Sequence, residues 1–393
     1  MAQIQIAHGL EGVVSHATRL SEVDGAAGRL IIRGYDIGDL VGQVCFEEAV
    51  YLLWHGDLPD RAQLDGLRAE MVRARRLPQP VLTWLQGPGR QTEGMHALRI
   101  GMAMLTLDEP RPDDVSPQAN LPRAIRLTAR VPELIAQHAR ARSGHAPVET
   151  PDDLGFAAGY LYALEGRQPD PVRVEALDAY LVTVIEHGMN ASTFAARVIA
   201  STQSDMVSAL TGAVGALKGP LHGGVPGPVL AMVQEVRQPQ NAERWVRAAL
   251  ARGERIMGFG HRVYRVRDPR AEVLGRVAEH LAGVTGDRGL LDLIRAVEES
   301  AVRVLAETKP GRALYANVEL YAALVLHEAG IPPELFTPTF AAARTAGWTA
   351  HILEQYADNR LIRPQSVYVG PRDRAVLPLA ARPPAHPGRL RSC

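Results

Sequence analysis

Apolar residues recur at helical spacing along most of the chain. In FEEAVYLLW, Phe46, Val50, Leu53 and Trp54 fall on one face, with acids near the start where a helix dipole favours them. The same period predicts helices around 63–75, 96–106, 131–141, 153–165, 173–186, 191–202, 228–236, 242–251, 271–282, 291–307, 318–329 and 339–357. One β-hairpin is predicted over 12–35: GVVSHATRL and GRLIIRGY flank SEVDGAA, whose Asp24-Gly25 supplies the turn. Strand-like runs are otherwise short and rare. The pattern is that of an all-α protein with a small β ornament, not of an alternating βαβ chain. Pro/Gly clusters interrupt it at 111–117, 166–171, 219–227 and 258–260, and there is no repeat at a solenoid period. From Pro371 onward Pro and Arg dominate with little to bury, which predicts a loosely docked arm.

Composition narrows the partners. The 393 residues are 46% hydrophobic, enough for one large domain or two modest ones. Lys+Arg and Asp+Glu are equal at 43 each, which removes the electrostatic ground for a nucleic-acid or membrane partner but leaves room for a local basic pocket. Lys218 and Lys309 are the only lysines, so any phosphate or carboxylate clamp is built mainly from arginine forks. Two cysteines, Cys45 and Cys393, make neither a disulfide framework nor a multi-cysteine metal site, and they fit a reducing cytosol. With no secretory pattern and no apolar run near the roughly 18 residues of a membrane span, the expectation is a cytoplasmic protein.

Five segments have a chemical look. In Lys218-Gly-Pro-Leu-His222-Gly-Gly-Val-Pro, glycines leave a histidine ring unobstructed ahead of a new helix, whose first N–H groups favour negative charge. In Gly258-Phe-Gly-His261, a glycine-flanked histidine is followed by Arg262, Arg265, Arg267 and Arg270, a crowding that suggests an anionic ligand. Asn317-Val318-Glu319 opens an apolar helix; alone, Glu319 reads as a first-turn acid. Arg344 sits among small and aromatic residues of a helix that reads as buried, so it needs an anionic partner, structural or substrate. His187 closes one helix, and Asn190 or Ser192 is placed to cap the next. Each of the isolated motifs admits a bland structural explanation.

Their order does not. GLEGVVSHATRLSEVDGAAGRLIIRGYDIGDL, FEEAVYLLWHGDLP, EHGMNAST, LKGPLHGG, IMGFGHRVYRVRDPR and FTPTFAAARTAGWTAHILEQ together resemble the citrate synthase family, across almost the whole chain to about residue 369. The resemblance implies a homodimer of helical subunits of the short bacterial or archaeal type. Each subunit would have a large domain formed by 1–222 and 330–393 and a small domain over 223–329. It implies an acyltransferase that joins acetyl-CoA to oxaloacetate and hydrolyses the citryl thioester. His222 would bind the thioester oxygen, Glu319 would remove the methyl proton, and His261 would polarise the ketone. Arg270, Arg344 and His187, with Arg363 of a second copy, would hold the dicarboxylate; Arg265 and Lys218 would meet the CoA phosphates. It implies no metal or redox cofactor, the CoA thioester being a substrate.

Three departures keep alternatives open. Most members read NVD where this chain reads NVE, and the added methylene moves the carboxylate by roughly 1 Å, a shift that can cost about 100-fold in rate. Gly94-Met95-His96-Ala97 replaces a His-Pro-Met run, and Val225-Pro226-Gly227 follows HGG where Ala-Asn-Glu is common. The alternatives are a 2-methylcitrate synthase using propionyl-CoA, or a low-activity relative that binds CoA or dicarboxylates. A zinc site of His187, His222 and His261 lacks local ligand spacing.

Overall fold

The computed structural model describes residues 6–223, 226–309 and 314–381. Among these there are sixteen α-helices: α1 (Ile37–Leu40), α2 (Phe46–His55), α3 (Arg61–Ala74), α4 (Gln79–Gln86), α5 (Gly94–Met104), α6 (Pro117–Arg142), α7 (Phe156–Glu165), α8 (Pro171–Val184), α9 (Ala191–Ser201), α10 (Met206–Leu217), α11 (Pro226–Val236), α12 (Ala242–Ala251), α13 (Pro269–Thr285), α14 (Gly289–Thr308), α15 (Val318–Glu328) and α16 (Phe336–Ala357). The fold is thus helical with a small sheet, as the periodicity predicts. Among the described residues no helix is long and apolar enough to cross a membrane.

The sheet is three-stranded and antiparallel, β1 (Ser21–Asp24), β2 (Arg29–Ile32) and β3 (Tyr35–Asp36), with Ser21 opposite Ile32 and Asp24 opposite Arg29. This corrects the predicted hairpin. Residues 12–20 form no strand, and SEVD, assigned to the turn, is β1 itself. The turn lies further on because Asp24 Oδ1 accepts from the N–H groups of Ala26 and Ala27, at 2.9 and 2.8 Å. Gly28 then closes it at φ +66°, where glycine is favoured.

The pattern also misses α4, α10 and the first half of α6. Pro122 and Pro132 look like helix breakers, yet α6 runs through both. Arg123 secures its buried start, donating to Glu109 and to the carbonyls of Arg111 and Asp114.

Helix α16 is the hub. Most of its side chains from Phe336 to Ile352 are buried, and it packs on α2, α6, α8, α9 and α10. A helix buried on every side belongs to the interior of a large core. The second organising element is α8, which packs on α13, α15 and α16. These three helices carry Arg270, Glu319 and Arg344.

The chain divides into two units, residues 1–361 and 362–393. All sixteen helices and the sheet belong to the first. In the second, the Tyr368 hydroxyl donates to the Pro371 carbonyl at 2.7 Å, and Arg372 lies over the Tyr368 ring. A short 3-10 turn follows at Leu379–Ala381. The last part of the predicted arm, 382–393, lies outside the described residues, as do Gly224 and Val225 of the HGGVPG run.

Candidate active site

His222 stands in the turn that ends α10. Gly223 packs so tightly there that a Cβ would lie 2.6 Å from the Leu217 carbonyl oxygen. His222 Nε2 receives the Ser192 backbone N–H at 3.2 Å and lies 2.8 Å from Ser192 Oγ. A backbone N–H can only donate, so Nε2 is the acceptor and the neutral ring carries its proton on Nδ1. Ser192 is itself fixed: its hydroxyl accepts from Trp348 Nε1 at 3.1 Å, and its one proton lies between two acceptors, Asn190 Oδ1 and His222 Nε2, each at 2.8 Å. Asn190, not Ser192, caps α9, accepting from the Thr193 N–H at 3.1 Å. The Ser192 backbone N–H is thereby left to orient His222.

The second histidine has the opposite tautomer. His261 Nδ1 accepts the N–H groups of Val263 and Tyr264, at 3.0 and 3.1 Å, so the ring proton is on Nε2. The preceding loop is threaded against the residues before α15. Gly258 O accepts from Asn317 N, Gly260 O accepts from Asn317 Nδ2, and Gly260 N donates to Tyr315 O, at 2.8–2.9 Å. Gly258 and Gly260 take φ +80° and +81°, which explains the GxGH pattern. The His187 ring meets the His261 ring edge-on at 5.5 Å, and its Nε2 is 3.1 Å from the Tyr264 hydroxyl.

Arg270 and Glu319 are set by two N-caps that face each other. Asp268 caps α13, accepting the Arg270 N–H at 3.0 Å, and also takes the Arg270 guanidinium through Nε at 3.1 Å and a terminal nitrogen at 2.8 Å. Its Oδ2 further accepts the Val318 N–H of α15 at 3.1 Å. Although burial opposes ionisation, Arg270 holds the Asp268 carboxyl below its usual range. Asn317 caps α15, accepting the Glu319 N–H at 3.0 Å. Glu319 therefore starts a helix as a first-turn acid, but its side chain has another fate. Its Oε2 is buried with no hydrogen-bond partner. Burial pushes its pKa up to about 8, against the pull of Arg270.

Arg344 is 1% exposed on α16. Its Nε donates to the Val184 carbonyl at 2.8 Å, its guanidinium lies over the Phe340 ring at 4.7 Å, and one terminal nitrogen is buried without a partner. Burial lowers its pKa to about 10, with Glu186 opposing and Arg270 adding to the effect, so it stays cationic at neutral pH. Glu186 is the nearby structural anion: the His351 ring and Arg344 hold it ionised despite full burial. Burial and Arg344 lower His222 to about 4, burial and Arg270 lower His261 to about 4, and burial with both arginines sends His187 well below its ordinary value. All three rings are neutral at pH 7. The site is thus a cationic, partly buried region with two fixed N–H donors and one uncommitted carboxyl.

The four arginines after His261 do not act together. Arg270 pairs with Asp268, and Arg267 makes a two-point ion pair with Glu298 at 2.9 and 3.1 Å. Only Arg262 and Arg265, both exposed, have no side-chain partner among the described residues. Lys218 is also exposed, at the C-terminal end of α10. Arg363 is the second residue of the second unit. Sequence reasoning missed Asp268 as a brace, although Asp-Pro before a helix is a capping signature. It also missed the hairpin tip as a support. Gly25 O accepts the Arg265 N–H at 2.8 Å, and a Cβ on Gly25 would lie 2.3 Å from Val263 O.

His187, His222 and His261 do not bring their nitrogens together as an ion site. Among the described residues, ligand atoms close enough to share an ion belong to His16, His351 and Glu354. There Arg197 already donates to His351 Nδ1 at 3.1 Å and to Glu354 at 2.7 Å. A guanidinium so placed opposes a second cation.

Comparison with known proteins gives a consistent result. The family model described as citrate synthase, C-terminal domain, matches residues 9–365. The chain is 42% identical over 375 residues to citrate synthase 2 of Bacillus subtilis, covering 95% of this chain and 98% of that protein. It is also 38% identical over 373 residues to 2-methylcitrate synthase of Mycobacterium tuberculosis, covering 95% and 92% of the two. Among solved structures it is similar to the citrate synthase of Thermoplasma acidophilum, in a ternary complex with carboxymethyl coenzyme A and oxaloacetate. That likeness has a TM-score of 0.88 at 29% identity and covers 96% of this chain and all of that one.

Proposed function

The chain belongs to the citrate synthase family and is an acyltransferase condensing acetyl-CoA with oxaloacetate, and we propose that His222, His261 and Glu319 carry the reaction. What supports these roles best is the opposed tautomers that the hydrogen bonds assign, Nδ1–H on His222 and Nε2–H on His261, together with the buried Glu319 oxygen that has no partner. An acetyl methyl group is a weak carbon acid, so a base needs a partner that stabilises the charge it creates. Glu319 removes the methyl proton while His222 Nδ1–H donates to the thioester oxygen. The enolic carbon then attacks the oxaloacetate ketone, whose oxygen receives the His261 Nε2–H. Neutral imidazoles suit both tasks, because each holds one donor proton in a fixed direction. Hydrolysis of the citryl thioester completes the reaction.

The buried cations Arg270 and Arg344 bind the dicarboxylate with His187, joined by Arg363 of a second copy in a homodimer. Lys218 and Arg265, exposed and unpaired with any acid in the described structure, meet the CoA phosphates. Residues 223–329 act as a small domain that closes on its flanks and expels water, with His222 at the seam. The chemistry needs acid–base and hydrogen-bonding groups only, and the CoA thioester is consumed as substrate in the cytoplasm. Propionyl-CoA fits the same machinery as a second donor, since one methylene shifts selectivity by only about 1–3 kcal/mol.

The test is release of free CoA thiol from acetyl-CoA and propionyl-CoA, each with and without oxaloacetate. Release that requires oxaloacetate is expected, and the ratio of the two rates ranks the donors. No release with either donor overturns the enzymatic assignment.

A further inference from the structure

The three histidines of the site lie on separate segments, and one buried carboxylate is hydrogen-bonded between them. Glu186, just beyond α8, is fully buried, and all its hydrogen bonds fall on a single oxygen. Oε1 accepts the Gly188 backbone N–H at 2.6 Å, the Ser21 hydroxyl at 3.0 Å and the His351 Nε2–H at 3.0 Å. The His351 proton is on Nε2 because Nδ1 accepts from the Arg197 guanidinium, which only donates. The other oxygen of Glu186, Oε2, has no partner and is closed in by α16. A Cβ on Gly347 would lie 2.6 Å from Oε2 and 2.4 Å from the Ile185 carbonyl oxygen, so the helix comes this close only because residue 347 is glycine. The carboxylate thus has one seat.

Hydrogen bonds run from that seat toward each histidine. His187 follows Glu186 directly and precedes Gly188, whose N–H the carboxylate holds. Gly188, at φ +58°, presents its carbonyl to the Asn190 N–H at 2.9 Å. Asn190 caps α9, and from the first turn of that helix the Ser192 N–H reaches His222 Nε2 at 3.2 Å. In the other direction Ser21 opens β1, and the turn after β1 meets the His261 loop, where Gly25 O accepts the Arg265 N–H at 2.8 Å. The third donor, His351, lies on α16, the helix that carries Arg344.

We propose that Glu186 is the positioning residue of the site, its Oε1 holding the segments of His187, His222 and His261 in mutual register. This rests on the assignment of those histidines to the reactants and deepens it. The thioester oxygen and the ketone oxygen must meet their N–H donors together, so the spacing between His222 and His261 matters as much as the place of either.

The asymmetry of the carboxylate supplies the test. In Glu186→Gln the amide oxygen can take all three donors while the NH2 group occupies the seat of Oε2, where no bond is lost. Glu186→Asp keeps the charge but withdraws the oxygens by roughly 1 Å. If Oε1 sets the register, Asp should lower kcat by about 100-fold. Gln should lower it only roughly 10-fold, a neutral acceptor being weaker than an ionised one. Both are measured on protein shown by calorimetry to be folded. A carboxylate needed only for its charge predicts the reverse, Asp retaining activity and Gln losing it. That order, or equal activity in the two variants, overturns the proposal. If either variant fails to fold, Ser21→Ala, at a partly exposed position, cuts the link to the hairpin alone. It should lower kcat about 10-fold, with KM for oxaloacetate changing less; an unchanged kcat overturns the proposal. Failure of the underlying reading shows separately. Near-normal turnover in His222→Ala or His261→Ala removes the assignment of the histidines, whatever the Glu186 variants do.

Discussion

As the proposed base, Glu319 would carry the main chemical burden of the site, and its environment sets a specific pH dependence. A base acts only when ionised, so activity rises with pH through its pKa. With that value near 8, the acidic limb of kcat/KM, which reports the free enzyme, should fall near pH 8. His222 and His261 lie near 4 and stay neutral across this range, so they add no limb above pH 5. A limb at pH 6–7 that survives Glu319→Gln would assign the titration to a histidine instead. Substitution tests the geometry: Glu319→Asp withdraws the carboxylate by roughly 1 Å and is expected to lower kcat by about 100-fold. A gain would mean that the site is built for the shorter acid. At this scale the sequence offered candidates and was blind to their state. It named His222, His261 and Glu319, but their tautomers and the free Oε2 depend on Ser192, Val263 and Tyr264, which approach only in the folded chain.

Elements place these side chains through caps and close approaches. Asp268 alone joins the start of α13 to the start of α15, and so fixes Arg270 relative to Glu319. Helical periodicity found most of the helices because their buried faces are continuous. It failed at α6, where proline argued against a helix that burial sustains, and at α10, whose MVSALTGAVGAL is small and apolar with no polar face to give a period. It misplaced β1 because the turn is decided by the Asp24 carboxylate rather than by apolar alternation. The hairpin has a consequence for catalysis. A Cβ on Gly25 would sit 2.3 Å from Val263 O and 2.9 Å from Val263 Cγ1, so Gly25→Ala must push the hairpin or the His261 loop aside. Overpacking of this kind costs about 1–3 kcal/mol, whereas a displacement of roughly 1 Å at His261 costs about 100-fold in rate. Gly25→Ala should therefore remain folded while losing most of its activity. Gly66→Ala, with nothing within 4 Å on an exposed face of α3, should keep full activity and serves as the control. Equal activity in the two variants would remove the hairpin from the support of the site.

At the scale of the whole molecule, the ordered succession of short motifs specified the family better than any one of them, because it encodes which loops a helical core brings together. EHGMNAST, LKGPLHGG and IMGFGHRVYRVRDPR are dispersed over about 90 residues, yet α8 and α16 gather their functional ends. Assembly is an expectation of the resemblance alone, since no local pattern encodes a second copy. The proposed homodimer shares residues: each site would take Arg344 from its own subunit and Arg363 from the other. This arrangement makes a strong prediction for mixed assemblies. Arg344→Ala and Arg363→Ala homodimers should each lose most activity, as every site lacks one carboxylate clamp. In a heterodimer of the two, both defects fall on one site, and the other combines an intact Arg344 with an intact Arg363. Co-expression with two affinity tags and purification through both isolates that species. Its activity should return to about half that of the wild-type dimer, because one of two equivalent sites is whole. If Arg363 served its own subunit's site, each site of the heterodimer would keep one defect and no activity would return.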